Sequence, residues 1–525
     1  MSNIKPLARA ILILLSFVIS EIHAQAPNIE WEKTFGGSEE ERAKSVWQTS
    51  DGGYVIAGAS ISYNGDLTGT HGAEDFWVVK TDATGGLQWQ VSLGGYSGDW
   101  ATSVQQTTDG GYIVAGYTLS TTMDVSGNHG VVDFWVVKLS STGSMQWQKA
   151  LGGTAGDYAN CIRQCSDGGF IVAGYTLSDD GDVTGLHGTL PRNDYWVVKL
   201  SATGNIEWQK TLGGSEDDMA TSVEPCVDGG FVVAGYTFSN DGDVTNLHGA
   251  ANTYADYWVV KLNSTGNIEW QKTLGGPSVD QAYSVKQCDD GGYIVAGYTT
   301  SNGGDVTGIH GNYQDYWVVK LNSAGSIQWQ KTLGGTDDDR AFDVQQCNDG
   351  GYVVAGYANS TNGDVTGNHG GPDSWVVKLG SNGVIQWQKA LGGAIDDHAY
   401  SIQQCADGGY IVAGDASSMD GDVTNPNGGS YDYWVVKLSG NSTGIERDET
   451  EVSLQAYPIP AKDELFIEAL YGSEITITDI KGNLIFKTVS TGQRVSVNTT
   501  SVPNGIYFVK NKSNGFVTTK KVIIN

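Results

Sequence analysis

A Trp-Val-Val-Lys tetrad begins at Trp77, Trp135, Trp196, Trp258, Trp317, Trp375 and Trp434, and a repeat of this kind limits the fold more than any other feature of the chain. Two further series keep step with it. Tryptophans recur at Trp31, Trp89, Trp147, Trp208, Trp270, Trp329 and Trp387, and Asp-Gly-Gly begins at Asp51, Asp109, Asp167, Asp228, Asp290, Asp349 and Asp407. Each unit of about sixty residues offers four β-rich runs, in the fourth copy Ala220–Val223, Phe231–Thr237, Tyr257–Leu262 and Ile268–Leu274, parted by Gly, Asn and Asp. No helical period interrupts them. The pattern predicts an all-β chain whose residues 27–438 form a seven-bladed β-propeller, which hides sheet edges by radial repetition; a linear stack of sheets is the alternative. The first unit opens with Ile29-Glu30-Trp31, and the seventh ends at Trp434–Leu438 without its own Trp-Gln strand. The N-terminal strand is therefore expected to complete the last blade. If the alanine-bearing run is innermost, Ala43, Ala101, Ala159, Ala220, Ala282, Ala341 and Ala399 lie where blades crowd, and the tryptophans fill the wider space between them.

Glycine supplies 73 of 525 positions, yet 39% of residues are hydrophobic and 10% aromatic, enough to build a core and to exclude collagen or a disordered chain. With 59 acidic against 30 basic side chains the net charge is −29, which argues against a nucleic-acid partner. Residues 1–24 read as a signal peptide: Lys5 and Arg9, an apolar run from Ala10 to Ile19, and small Ala24, with the mature chain beginning near Gln25. That run is too short to cross a bilayer, and nothing later approaches the roughly twenty residues a membrane helix needs, so no transmembrane segment is expected in the mature chain.

Spacings locate the variable loop. Trp31 stands 20 residues before Asp51, and the other six copies keep that distance. The stretch between the second and third strands alone varies, from 17 residues between Gly58 and Asp75 to 21 between Gly235 and Asp256. It shares a face with the connections between blades, and this face is the candidate working face. There the acids Glu41, Asp99, Asp157, Asp218, Asp280, Asp339 and Asp397 follow each Gly-Gly by an equal interval. They read either as a ring of binding-face carboxylates or as turn residues accepting backbone N–H groups. The long loops carry Asp66, Asp124, Asp182, Asp243, Asp305, Asp364 and Asp422. Around Asp180, Asp182, Asp241 and Asp243 the loop looks like a calcium site, although the alternating pattern of acids is incomplete. No cofactor is expected beyond that open candidate, calcium.

His71, His129, His187, His248, His310 and His369, with Asn427 in the seventh copy, occur one per blade. Spread around a rim, they cannot share one zinc and read as turn residues bonded within their own loops. Asp75, Asp133, Asp194, Asp256, Asp315, Asp373 and Asp432 precede the tetrad and read as loop caps. An enzyme needs asymmetry, and few blade-specific departures stand out: Cys161 and Asp343 in place of a repeated serine, and Arg42, Arg163, Arg192 and Arg340. No Ser-His-Asp arrangement is evident, so no catalytic residue is assigned. Cys165, Cys226, Cys288, Cys347 and Cys405 hold equivalent places in five blades, too far apart to bridge, and Cys161 lies on one strand with Cys165. All six are expected to be free.

After Leu438 the repeat stops. Residues 439–451 read as a polar linker, and residues 452–525, with a small positive charge, alternate like a small Ig-like β-sandwich in Leu465–Ile467, Glu474–Thr478, Arg494–Val497, Ile506–Val509 and Lys521–Ile524. Tyr457-Pro458-Ile459-Pro460, Asp479-Ile480-Lys481-Gly482, Pro503-Asn504-Gly505-Ile506-Tyr507 and Lys520-Lys521-Val522-Ile523-Ile524 follow in order. In these pieces the tail resembles the type A C-terminal sorting domains of the type IX secretion system of Bacteroidota, with Pro458, Pro460, Asp479, Gly482, Gly505, Tyr507, Lys520 and Lys521 as the matching residues. Ile459 stands where that family usually has Asn. The resemblance implies transfer across the outer membrane by the type IX machinery, then release or attachment at the cell surface. The repeats in turn resemble secreted bacterial propeller repeats, which implies a fold and no function.

These readings favour a non-enzymatic surface or secreted module that binds extracellular glycan or protein, with loop tyrosines such as Tyr254 and Tyr313 as stacking candidates. A hydrolase or lyase with an axial site, Asp343 its first residue to test, and a structural surface protein without a discrete ligand are the alternatives.

Overall fold

The structure is a computed structural model and describes residues 25–188, 191–424, 426–440, 456–469, 472–479, 481, 483–492, 494–513 and 516–525. The expected signal peptide and most of the expected linker lie outside the described residues. Two compact units divide the chain, Met1–Asn441 and Ser442–Asn525. Among the described residues every regular element is a β-strand, and no helix is long and apolar enough to cross a membrane.

In the first unit β1 (Ile29–Phe35) is followed by β2 (Glu41–Gln48), β3 (Tyr54–Ser60), β4 (Asp75–Thr81) and β5 (Leu87–Leu93), of which β2 to β5 form one antiparallel sheet in chain order. Five more four-stranded sheets repeat that order. A seventh holds Asp397–Gln404, Tyr410–Ala416 and Asp432–Leu438 and takes β1 as its fourth strand, with Ile29 opposite Leu438 and Phe35 opposite Tyr433. The strands run longer than the apolar runs suggest, because polar ends join the ladder: Asp218 pairs with Thr237, and Thr237 with Asp256.

The first strand of each sheet, β2 and its equivalents, touches the first strand of the next sheet, and β2 also touches Asp397–Gln404. These inner strands alternate buried with half-buried side chains, whereas the third strands, such as β4, are buried on both faces. Between sheets, six of the seven tetrad tryptophans meet an aromatic ring of the preceding sheet, and for Trp434 the corresponding residue is Ser374. Ring centroids lie 4.5 Å apart for Phe76 and Trp135, 4.5 Å for Tyr195 and Trp258, and 4.5 Å for Tyr433 and Trp77. Tyr195 donates its hydroxyl to Trp258 O at 2.9 Å and Tyr433 to Trp77 O at 3.0 Å, so the buried rings leave no phenol unsatisfied.

The tetrad lysine is buried too, and it explains the Asp-Gly-Gly series. Lys80 Nζ lies 3.0 Å from Asp51 Oδ2, and Lys320 Nζ 2.8 Å from Asp290 Oδ2. Burial works to raise the carboxyls of Asp51 and Asp109, but bonds from a threonine and from the lysine outweigh it and hold both at about 2. All six cysteines are free and buried.

Each inner strand bulges against its neighbour, as between Ala159 and Cys161, and brings a carbonyl onto the glycine opposite. A Cβ on Gly174 would sit 1.9 Å from Tyr158 O. Gly174→Ala is expected to destabilise the unit by about 3 kcal/mol, read as a lower urea midpoint at unchanged slope; an unaltered midpoint would show that the bulge yields.

In the second unit Ala456–Tyr457, Glu464–Glu468 and Arg494–Asn498 form a three-stranded sheet, and Glu474–Asp479, Leu484–Val489, Gly505–Ser513 and Phe516–Ile524 a four-stranded one. Leu465, Ile467, Ile475, Ile477, Val497, Val509 and Val522 from both sheets share one core. Leu484–Val489 escapes a sequence reading because Leu484, Ile485 and Val489 are exposed on an edge strand, which breaks the apolar–polar alternation.

Candidate functional site

The acids expected on the binding face begin the inner strands and are buried. Glu41, Asp99, Asp157, Asp218, Asp280, Asp339 and Asp397 expose none of their surface. Asp99 Oδ2 accepts Gly95 N–H at 2.8 Å and the Ser120 hydroxyl at 2.9 Å, and Asp218 is held alike by Gly214 and Ser239. They fasten the turn into the next sheet and offer no carboxylate to a ligand, since a solvent ligand cannot reach a side chain this enclosed. Burial pushes Asp99, Asp157 and Asp339 up to about 6 and Asp218 and Asp280 up to about 7.

The calcium candidates are engaged in the same way. Asp180 accepts Thr154 N–H at 2.7 Å and Asp182 accepts Gly152 N–H at 3.3 Å, while Asp241 and Asp243 do so for Ser215 and Gly213. Among the described residues no group of three or more His, Cys, Asp or Glu is placed to hold a metal ion.

The histidines do more than close their own loops. His248 Nδ1 lies 2.7 Å from Asp256, at the start of its own third strand, and its Nε2 is 3.6 Å from Asp305 in the next sheet's long loop. His187 and His310 make the same bridge, and in the seventh copy Asn427 Nδ2 donates to Asp66 Oδ2 at 3.2 Å. At His71, His187, His248 and His310 the loop histidine, loop acid and cap acid thus form a clasp between neighbouring sheets, whereas His129 and His369 pair with their own cap acids.

What the inner strands turn away from the sheets is different. Their half-buried side chains line a central cavity of about 540 Å³, to which all seven inner strands contribute. Its lining reaches Ser60, Ile61 and Glu74, at the ends of strands that carry the long loops, so the cavity opens toward that face. Along each inner strand the position before the repeated alanine reads Arg42, Trp100, Tyr158, Met219, Gln281, Arg340 and His398. The position after it reads Lys44, Thr102, Asn160, Thr221, Tyr283, Phe342 and Tyr400. No two sheets agree in both places, although the alanine between them never changes.

Next along the inner strands come Ser45, Ser103, Cys161, Ser222, Ser284, Asp343 and Ser401, one per strand. Ser45 Oγ accepts Val104 N–H at 3.1 Å, Ser222 Oγ accepts Val285 N–H at 3.2 Å, and Ser401 Oγ accepts Val46 N–H at 3.3 Å, each stitching one inner strand to the next. Asp343 carries the same stitch, with Oδ2 accepting Ile402 N–H at 3.0 Å and Oδ1 accepting Ser284 Oγ–H at 2.8 Å. Arg163 and Cys161 also line the cavity, Arg163 bonded to Ser103 Oγ at 3.1 Å and paired with Glu224 at 3.6 Å. Arg192 lies apart, paired with Glu216 and Asp217 in a long loop.

Cations lie against rings around this mouth: Arg42 stands 4.3 Å from the Tyr431 centroid, Lys44 3.3 Å from that of Tyr400 and Arg340 5.0 Å from that of Tyr298. Burial pushes Lys44 down to about 8. Tyr254 and Tyr313, the loop candidates for stacking, are exposed, at 38% and 56%.

In the second unit Tyr507 donates its hydroxyl to Pro503 O at 2.6 Å, and Asp479 Oδ1 accepts Lys481 and Asn483 N–H groups in a turn. Gly505 begins the strand that pairs with the one carrying Lys520 and Lys521, and Pro458 and Pro460 occupy an exposed turn. Gly482 lies outside the described residues.

Repeated four-stranded sheets followed by such a tail define an exported protein of propeller-like architecture. Residues 455–525 match the family of secretion system C-terminal sorting domains, and that tail places the chain with proteins carried by type IX secretion, to be attached at the outer cell surface or released. The regulatory protein FlaEY of Caulobacter vibrioides is similar at 24% identity over 403 residues, 69% of this chain and 41% of its own length, so the chain spans about two fifths of that relative. Two solved structures are also similar. Puromycin hydrolase is 12% identical with a TM-score of 0.44, covering 83% of this chain and 62% of its own. PorZ, a surface component of the type IX secretion system of Porphyromonas gingivalis, is 11% identical with a TM-score of 0.27, covering 94% and 75%. At such scores neither likeness bears on what this chain does.

Proposed function

We propose that residues 27–438 form a closed seven-bladed β-propeller, that residues 452–525 form an Ig-like sandwich, and that the propeller acts outside the cell as a non-enzymatic binding module. Its ligand enters the central cavity from the long-loop face. Support for the ring comes from contacts that recur at the first and last sheets: β1 on Asp432–Leu438, Tyr433 on Trp77, and Ser401 on Val46. The observation that carries the binding reading is where the sheets differ. Seams, turns and clasps repeat almost unchanged, while the side chains facing the cavity are blade-specific. A spacer without a ligand has no use for such a lining. Asp343, held by a backbone N–H and a serine hydroxyl, favours binding over the hydrolase reading.

The test is a glycan array probed with the chain lacking residues 1–24, with and without calcium. Saturable binding is expected, weakened at least tenfold in a Tyr283→Ala/Tyr400→Ala variant that keeps its melting curve, and unaffected by Tyr254→Ala or Tyr313→Ala on the loops. Binding that ignores the cavity variant but vanishes on chelating calcium or in Asp182→Asn would move the site to the loops.

A further inference from the structure

The cavity has two unlike walls. Tyr283, Phe342 and Tyr400 stand on consecutive inner strands, with centroids 5.1 Å apart for the first pair and 5.0 Å for the second, and make a continuous aromatic wall. Thr102, Asn160 and Thr221 hold the corresponding positions on three other strands. The hydroxyl hydrogens of Thr102 and Thr221 are already given away, to Ala159 O at 3.0 Å and Ala282 O at 3.0 Å, and Asn160 Nδ2 spends one of its two hydrogens on Ala220 O at 2.7 Å. What this wall can offer a ligand is mostly oxygen lone pairs, with one amide N–H beside them. Aromatic faces on one side and acceptors on the other match a ring with C–H faces and O–H edges, which is the chemistry of a sugar. A volume of about 540 Å³ lies within the range of small-molecule sites, about 300–1,000 Å³.

Lys44 completes the same ring of positions. Its ammonium contacts the Tyr400 face but makes no hydrogen bond or ion pair among the described residues. The other cations of the cavity have carboxylate partners, Arg42 in Glu40 and Arg163 in Glu224. Asp415 and Glu40 attract this ammonium from a distance, yet neither accepts a hydrogen bond from it, and a half-buried ammonium without an acceptor is held at a cost in free energy that an arriving anion relieves.

We infer that the central cavity binds an anionic sugar, its ring on the Tyr283–Phe342–Tyr400 wall, its hydroxyls on Thr102, Asn160 and Thr221, and its acid group on Lys44. This rests on the binding-module reading and narrows it to a ligand class. Carboxylate and sulfate would satisfy Lys44 alike.

The experiment titrates the chain lacking residues 1–24 with D-glucuronate, D-glucose 6-sulfate, D-glucose and acetate, by calorimetry. At least one acidic sugar is expected to bind tenfold or more tightly than D-glucose, with acetate showing no saturation. Which of the two binds better separates uronic from sulfated sources. Lys44→Met should abolish the preference and Lys44→Arg retain it, both with the parent melting curve. Equal affinity for D-glucose and the acidic sugars, lost in Tyr283→Ala/Tyr400→Ala, overturns the anionic class and leaves the cavity reading in place. No response to any of the four probes, beside cavity-dependent array binding that shows no preference for acidic glycans, overturns the anionic class. Array binding indifferent to the cavity variant overturns the cavity reading and this inference with it.

Discussion

A chain that begins at residue 37 is expected to melt at least about 10 °C below the chain that begins at residue 25, or to aggregate, and a synthetic peptide of residues 25–37 is expected to restore it. Among the described residues β1 is one strand of twenty-eight in the first unit, but it covers an edge that no other described strand covers. Without it Asp432–Leu438, buried along its whole length, presents an unpaired, apolar edge of seven residues. Phe35 and the contact of Trp31 with Tyr54, at 5.6 Å between centroids, are lost together with the ladder, as is the bond from Trp434 Nε1 to Glu32 at 3.0 Å. Buried rings contribute about 2–3 kcal/mol each and net ladder bonds about 1 kcal/mol each, against a total stability of only about 5–15 kcal/mol. Circular dichroism melts and size-exclusion profiles read the outcome. A chain from residue 37 that stays monomeric and melts like the parent would show that the seventh sheet stands with three strands and that the unit does not depend on β1.

The second large effect concerns pH. A carboxyl whose folded pKa is raised binds its proton more tightly in the folded state, so its contribution grows as pH falls through the folded pKa and is complete below the unfolded value, about 3.9. Asp218 and Asp280, pushed up to about 7, and Asp99, Asp157 and Asp339, pushed up to about 6, place this window between pH 7.5 and 4. Asp51 and Asp109, held at about 2, act with the opposite sign, and their contribution is lost below about pH 4. The melting temperature is therefore expected to be highest near pH 5, about 5 °C above its value at pH 8, since about 5 kcal/mol corresponds to about that shift for a unit of this size. Relief of the −29 net charge works in the same direction. Asp218→Asn should flatten the profile. A melting temperature that is level or falls on acidification from pH 8 to 5 would mean that the turn acids are ionised in the folded chain.

Much of the architecture was legible because each repeat states its strands in side chains of fixed period. Phe231–Thr237 and Ile268–Leu274 form as the apolar runs indicate, and the Trp31 strand pairs where the missing seventh strand leaves room. The partnership of Asp-Gly-Gly with the tetrad lysine was not legible, because residues some thirty apart meet only once the sheet is folded. Which of the two readings of the acids holds, binding ring or turn, was left open by the sequence for a related reason. Polarity and loop position suggest exposure, yet Asp99 and its equivalents are drawn inward by Gly N–H and Ser O–H donors. A signal for the cavity was present in the inner strands, where Ala43 and its equivalents are constant while the residues on either side differ. That signal is faint in the sequence because a single departure such as Asp343 stands out against a constant serine, whereas two columns without a consensus have nothing to depart from.

The pleat of the inner strand keeps two kinds of demand apart. Residues that point into the seams must fit their neighbours, and those seams are nearly interchangeable from sheet to sheet; inward residues with no bond to the next strand, such as Lys44 and Phe342, answer to whatever occupies the middle. One codon at position 44 or 342 can therefore recast the interior without breaking a hydrogen bond between sheets. A gene built by duplicating one module can in this way keep a single mechanical part and still diversify what it receives.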